Sequence, residues 1–348
     1  MGAAGPSGFA TRLDWVASEV DLVVPGSVMM PDNFNTSLGS FTMTALTAWL
    51  DDMRARGLKV RGHCSWYPKR DIGTWIDAYL QANPSEWQTV LAARIDALCA
   101  VLVNYLDIIV NIDGVNEVFG VGSTNPGGWR TNPWNTAVAV TNGRTAATAT
   151  VADYQAPVIF ALQRLRAGLP GVDIYWCSDL QEQITGGVFD TYVANILSGI
   201  AACKAAGAPV DGFAMQAHLT NRLGFDAVKL RAFCRSLTET LGLKLIVSEL
   251  DTHTGAGAGF NDTRTPAEYT VPEYDRVSAD FYKRFLDIAL PFVVASGGRQ
   301  LLSWTLDDGY NSWTEAYGQP PGERPCPCDG AFTPKPQYYA PRNALLEL

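Results

Sequence analysis

Short runs rich in Val, Ile and Leu alternate along the chain with longer stretches whose apolar residues recur near i, i+3 and i+4. Seven runs have the composition of buried strands: VDLVVPG, LKVRGHCSW, IIVNIDGVNE, VDIYWCSD, DGFAMQAH, LKLIVSELD and LLSWTLDD. Between them, stretches such as TMTALTAWLDDMRARG, EWQTVLAARIDALCAVLVNYL, VANILSGIAACKAAG and FDAVKLRAFCRSLTETLG carry the helical period. Alternating strands and helices imply a parallel sheet, because parallel neighbours are joined by crossovers. The expected fold is therefore α/β, a (β/α)8 TIM barrel with seven βα units evident and the first strand irregular or missing from the chain. Arg12 to Val20 reads as a helix leading into the first clear strand. Either Met1 to Ala10 supplies an irregular first strand, or that strand lies upstream in a longer protein, or the barrel is modified.

No internal repeat or low-complexity linker divides the sequence, so residues 1–348 are expected to form a single barrel domain. The longest turn-rich insert, VFGVGSTNPGGWRTNPWNTAVAVTNGRT, carries Trp129 and Trp134 and is expected to be a functional or mobile part of the rim.

Composition narrows the function. At 348 residues and 47% hydrophobic, the chain is long enough for a large core. A formal charge of −9, without any cluster of five Lys/Arg, would repel a polyanion, which argues against nucleic acid and anionic membrane as partners. No run of 18 apolar residues is present, and the opening MGAAGPSGFATRLDW lacks a charged segment followed by an apolar one. Met1-Gly2 matches a myristoylation start only weakly. The seven cysteines are too dispersed for a disulfide framework; Cys99, Cys203 and Cys234 read as small buried hydrophobes. Cys326 and Cys328, in PPGERPCPCDG, lack nearby partners for a metal and read as loop cysteines, free or bridged.

In such barrels chemistry gathers where strands end, so polar residues closing apolar runs are the candidates. They are His63 and Trp66 after LKVRG, Asn116 and Glu117 after NIDGV, and Gln216 and His218 after GFAM. Glu249 and Asp251 in LIVSELD and Trp304 in LLSWTLDD complete the set. Two carboxylates from separate strands with tryptophans nearby fit glycoside cleavage, in which one protonates the leaving oxygen and the other faces the anomeric carbon. The GAGAG run at Gly255 to Gly259 leads into FNDTRTPAEYT rather than a helix, so it reads as a mobile loop and not a phosphate cradle.

Taken together, RGHCSW, VNEVF, QAHL, SELD and SW resemble, in order, the motifs of the family 10 glycoside hydrolases, retaining β-1,4-xylanases on a (β/α)8 barrel. The closing DGAFTPKPQYYAPRNAL is similar to that family's last segment, and the resemblance spans Val20 to the C-terminus. It implies that Glu117 is the general acid/base and Glu249 the nucleophile, with His218 and Asp251 supporting the nucleophile. Asn116 would meet the sugar 2-hydroxyl, His63 and Gln216 would line the same subsite, and Trp66, Trp304 and Trp313 would form its walls. The implied function is hydrolysis of internal β-1,4 linkages in xylan or a related polysaccharide by double displacement. No cofactor and no metal are implied, the partner is a polysaccharide or oligosaccharide substrate, and the expected state is a monomer. A polymeric substrate places the enzyme in a secreted or periplasmic setting.

The sequence departs from the family on the glycone side. Where the family carries Asn, Lys and Trp after its second strand, PGSVMMPD has Ser27, Met30 and Pro31, and Leu180 in SDLQ stands where an aromatic would. The RGHCSW loop is a residue short before Trp66. Three alternatives remain open: a non-catalytic carbohydrate-binding relic of the barrel, a β-glycosidase with a non-xylan substrate, and a metal-dependent hydrolase using His63, His218, His253 and carboxylates.

Overall fold

The seven apolar runs form eight strands: β1 (Leu22–Val23), β2 (Lys59–Gly62), β3 (Ile109–Asn116), β4 (Asp173–Ser178), β5 (Gly212–Met215), β6 (His218–Thr220), β7 (Lys244–His253) and β8 (Leu301–Ser303). The extra strand arises inside DGFAMQAH, where Ala217 takes a left-handed φ of 62° that interrupts the extended chain between β5 and β6. Mostly parallel strands with helices between them make the fold a (β/α)8 TIM barrel, with a short, irregular first strand. Phe9 and Ala10 already belong to the helix Phe9–Glu19, so they add no strand before β1. This computed structural model describes residues 9–179, 187–220, 224–253, 268–306, 308 and 324–347. The chain divides into two compact units, Gly2–Ser178 with Ala194–Gly212, and Asp179–Val193 with Phe213–Leu348.

In the first unit, β1 to β4 pair in parallel in sequence order. The β3–β4 register slips between Asp113 and Val115, and Gly114 sits at the slip. A Cβ there would lie 2.4 Å from Leu162 Cδ2 and 2.6 Å from Ile174 Cγ2, so only glycine lets the helix Val151–Gly168 pack this close to β3. That helix begins with a reciprocal cap between Thr150 and Asp153. Arg144, the first cause, holds the Asp153 carboxyl well below its ordinary value against the opposing effect of burial.

A buried ion pair anchors the segment after β2. Arg94, in the helix Trp87–Leu102, donates through Nη1 to both oxygens of Asp71 at 2.9 and 3.0 Å, and the Trp134 indole N–H donates to the same carboxylate at 2.7 Å. Burial raises the Asp71 carboxyl, while Arg94 and the Trp134 N–H pull in the opposite direction. With the charges paired and hydrogen-bonded, the interior tolerates them.

The long insert after β3 is packed rather than loose. Trp129 is buried against Phe119, with ring centroids 4.3 Å apart, and lies 6.1 Å from Trp176. Asn132 caps the helix Pro133–Thr141 by accepting from the backbone N–H groups of Trp134 and Asn135. The tryptophans of this stretch have enough apolar area to be core, and their neighbours supply the matching surface.

In the second unit, β7 pairs in parallel with β6 and β8 and packs against the 25-residue helix Val271–Ala295, which also packs against the last helix, Pro336–Leu346. The Pro-rich segment with Cys326 and Cys328 is tied to this scaffold by main-chain hydrogen bonds from Thr252 to Pro325 O and from Cys328 to Leu306 O. Lys335 donates to both oxygens of Asp308 at 3.0 and 2.9 Å, and Arg324 pairs with Asp275. All seven cysteines are buried, and none is in a disulfide. Burial pushes the Cys326 thiol well above its ordinary value, and its Sγ lies 2.7 Å from Thr305 Oγ1. Among the described residues, no helix is long and apolar enough to cross a membrane.

Gly114→Ala should lower unfolding stability by about 1–3 kcal/mol through overpacking against Leu162 and Ile174. Urea denaturation measures it, and an unchanged midpoint would contradict this account of the β3–helix contact.

Candidate active site

The candidate residues fall into two clusters, one in each unit. The first is built at the end of β3. Asn116 donates its backbone N–H to Trp66 O at 3.0 Å, and Glu117 donates its own to Cys177 O at 3.1 Å. These bonds fix Glu117 in a left-handed φ of 50°, a sparsely populated conformation for a side chain of this size. Such local strain is characteristic of positions held for function, where the surroundings over-determine the backbone. Glu117 is 9% exposed.

Directly after β2, His63 sets its Nδ1 2.7 Å from Asp113 Oδ2, and Arg61 binds the other oxygen of the same carboxylate. Asp113, four residues before Glu117, is not among the residues that the sequence singles out. Its signal is a carboxylate enclosed in the apolar run IIVNIDGVNE, where only a buried partner makes the charge tolerable. His63, Asp113 and Cys177 could bring ligand atoms within 4.8 Å of one another. Arg61 already supplies the positive charge that Asp113 requires, so a cation placed there would be repelled.

Lys69 is a second addition to the sequence candidates. Its Nζ lies 2.9 Å from Glu117 Oε2, reached from the short turn Pro68–Asp71 that Asp71 anchors to Arg94. No sequence pattern marks it, because the contact joins residues 48 positions apart through a loop.

Trp66 is fully buried, and its indole lies edge-on to Trp134 with centroids 6.2 Å apart. Its ring is covered by protein, and its backbone carbonyl receives Asn116. On the glycone-side stretch, Gly26–Met29 forms a 3-10 turn with Ser27 exposed and Met30 and Pro31 buried. Asp32 then pairs with Arg70 at 2.6 Å.

The second cluster arises from strand register. β6 and β7 pair with His218 opposite Asp251. Alternation places Glu249 and Asp251, two residues apart, on one face of β7. The imidazole bridges both: Nδ1 lies 3.0 Å from Asp251 Oδ1 and Nε2 lies 3.0 Å from Glu249 Oε2. Burial works against the His218 charge, but Asp251 and Glu249 outweigh it and hold the imidazole well above its ordinary value. As an imidazolium it donates from both nitrogens, leaving a further proton donor unnecessary between the two carboxylates. Glu249 is 4% exposed, and Gln216 is buried just before Ala217. Trp304 is half-buried, edge-on to His218 at 5.3 Å, and its backbone N–H donates to Leu250 O. Trp313, Leu180 and the Gly255–Gly259 run lie outside the described residues, as does the side chain of His253 at the end of β7.

Each cluster thus encloses one glutamate beside a nitrogen donor, Glu117 beside Lys69 and Glu249 beside His218. The family model of Glycosyl hydrolase family 10 matches residues 3–145 and 188–344. A search of curated proteins by sequence finds no match. Among solved structures, native xylanase 10B from Thermotoga maritima aligns with a TM-score of 0.73 at 17% identity, covering 98% of this chain and 91% of that one. A thermostable xylanase mutant from Cellvibrio japonicus aligns with a TM-score of 0.76 at 18% identity, over 99% of this chain and 95% of that one. A mutant of xylanase 10C from the same organism, in complex with xylopentaose, gives 0.78 at 17% identity, over 97% of this chain and 63% of that one. At these identities the likeness concerns the fold.

The chain has three histidines, so imidazole NMR can follow them individually. His218 should keep imidazolium shifts well above pH 6.5. A raised value means that its protonation stabilises the fold fully below about pH 6.5 and that this contribution fades as pH rises through the folded value. A neutral His218 at pH 7 would contradict the bridge.

Proposed function

The chain belongs to glycosyl hydrolase family 10, and we propose that, as a glycoside hydrolase of that family, it cleaves internal β-1,4 linkages of xylan or a related polysaccharide with retention of configuration. The observation that carries this reading is the array Glu249–His218–Asp251, in which a buried carboxylate is held by a cationic donor that is itself anchored. A nucleophile of this kind must be oriented and charged before substrate arrives.

In the first step, Glu249 attacks C1 as Glu117 gives its proton to the glycosidic oxygen; the C1–oxygen bond breaks and a glycosyl ester forms on Glu249. In the second, Glu117 takes a proton from water, water oxygen bonds to C1, and the ester bond breaks to return the Glu249 carboxylate. A retaining mechanism of this kind asks for two carboxyl groups about 5–5.5 Å apart. Asn116 meets the 2-hydroxyl, where a hydrogen bond strengthens as oxocarbenium character develops. His63, held by Asp113, and Gln216 line the subsite, with Trp304 and Trp313 as walls and Trp66 as the packing behind Asn116. Residues 1–348 act as one catalytic domain and a monomer, on a polymer met outside the cytoplasm.

A second reading, a β-glycoside other than xylan, is favoured by the glycone-side stretch. Met30 is a buried apolar residue where the family places a lysine, so polar grip on the glycone is reduced there. Remote binding energy feeds the chemical step, and weaker grip predicts slow cleavage of plain xylan.

Glu249→Gln should abolish turnover of every substrate. Glu117→Ala should lower cleavage of unactivated linkages about 10²–10⁴-fold while sparing the first step on aryl glycosides with good leaving groups. Equal loss on both substrate types would remove Glu117 from the acid/base role. Product anomers followed by NMR should appear first as β, and α product would rule out retention.

A further inference from the structure

Lys69 puts a cation on a carboxylate to which the proposed mechanism assigns two opposite proton transfers, and this inference rests on that assignment of Glu117. The contact is specific to one oxygen: Nζ lies 2.9 Å from Oε2. An ammonium has only donors, so the contact favours the carboxylate with Oε2 unprotonated. The loop that carries Lys69 is fixed just after it by two ion pairs. Arg70 pairs with Asp32, and Asp71 pairs with Arg94 in a buried, hydrogen-bonded site. Among the described residues, Arg61 and His63 both bind Asp113 beside this strand end, and Tyr175 and Cys177 lie on β4.

We propose that Lys69 is a positioning residue for the acid/base: held at Oε2, it fixes the side chain there and moves the working range of the enzyme toward acid pH. The charge sets the sign. A nearby cation favours the ionised carboxylate, and the free enzyme needs Glu117 protonated for the first step, so activity falls off at a lower pH than it would without Lys69. The effect is modest because the Lys69 side chain is 43% exposed and water screens the pair.

The test compares wild type, Lys69→Met and Lys69→Arg. The pH profile of kcat/KM on an aryl β-glycoside with a poor leaving group should show its alkaline limb moved up by about 0.5–1 pH unit in Lys69→Met. Lys69→Arg, which keeps the charge, should keep the limb near the wild-type position. A merely structural role would change the height of the profile and leave the limb where it was. A second readout does not depend on turnover: in protein labelled with ¹³C at the glutamate carboxyls, the signal missing from Glu117→Gln should titrate at lower pH in wild type than in Lys69→Met. An active wild type with no difference from Lys69→Met in either readout, or a Lys69→Arg limb displaced as far as that of Lys69→Met, overturns the proposal and leaves the glycosidase reading intact. Absence of turnover on all β-glycosides alongside the NMR difference defeats the glycosidase reading and supports the action of Lys69 on Glu117.

Discussion

Two carboxylates two residues apart on one face of a buried strand cannot both remain charged unless a cation lies between them. His218 meets that requirement. Its imidazole reaches Asp251 from one nitrogen and Glu249 from the other, each at 3.0 Å, and the direct pairing of β6 with β7 sets it opposite. The burial that would discharge an isolated imidazole is outweighed by the two negative partners. Truncating the imidazole would leave two buried acids facing each other, so the arrangement is stable only as a whole. Much of the local backbone serves this placement: Ala217 turns left-handed just before His218, and Asp251 donates its N–H back to Ala217 O at 3.3 Å.

The Glu117 cluster solves a different problem, that of delivering a side chain at the end of a strand enclosed by other elements. The register slip at Asp113–Val115, made possible by Gly114, adds a residue to β3 and redirects the chain toward Glu117. Asp113 is then satisfied by His63 and Arg61, and Glu117 is presented beyond the strand in a left-handed conformation that Trp66 and Cys177 hold through their carbonyls. Buried tryptophans here act as supports. Trp134 joins Asp71 by its N–H and Trp66 by its ring, connecting the insert after β3 to the loop that carries Lys69.

The residues proposed to react and those proposed to grip the sugar are thus built on different kinds of structure. Glu249, Asp251 and His218 stand on the paired strands β7 and β6, while Glu117 follows directly on β3 and meets Lys69 from the turn Pro68–Asp71. The stretch proposed for the glycone side begins with the short turn Gly26–Met29, and Met30 and Pro31 after it are absorbed into packing. A barrel with this division can retain a bond-breaking apparatus while altering what it binds.

The sequence by itself determined the alternation of strands and helices, six of the strands nearly run for run, and the polar residues that close them. These are legible because strand periodicity and burial are local properties, written in consecutive residues. Its order of motifs also pointed to Glu117, Glu249, His218 and Asp251 before any coordinates. Tertiary structure alone decided that DGFAMQAH breaks into two strands at Ala217, that Trp66, Trp129 and Trp134 are packed, that Lys69 meets Glu117 and that Asp113 meets His63. Those outcomes depend on partners that are distant in the chain, 48 residues for Lys69 and Glu117 and 50 for His63 and Asp113. An ionic or aromatic contact of that separation leaves no period in the sequence, since it exists only once the intervening chain has closed.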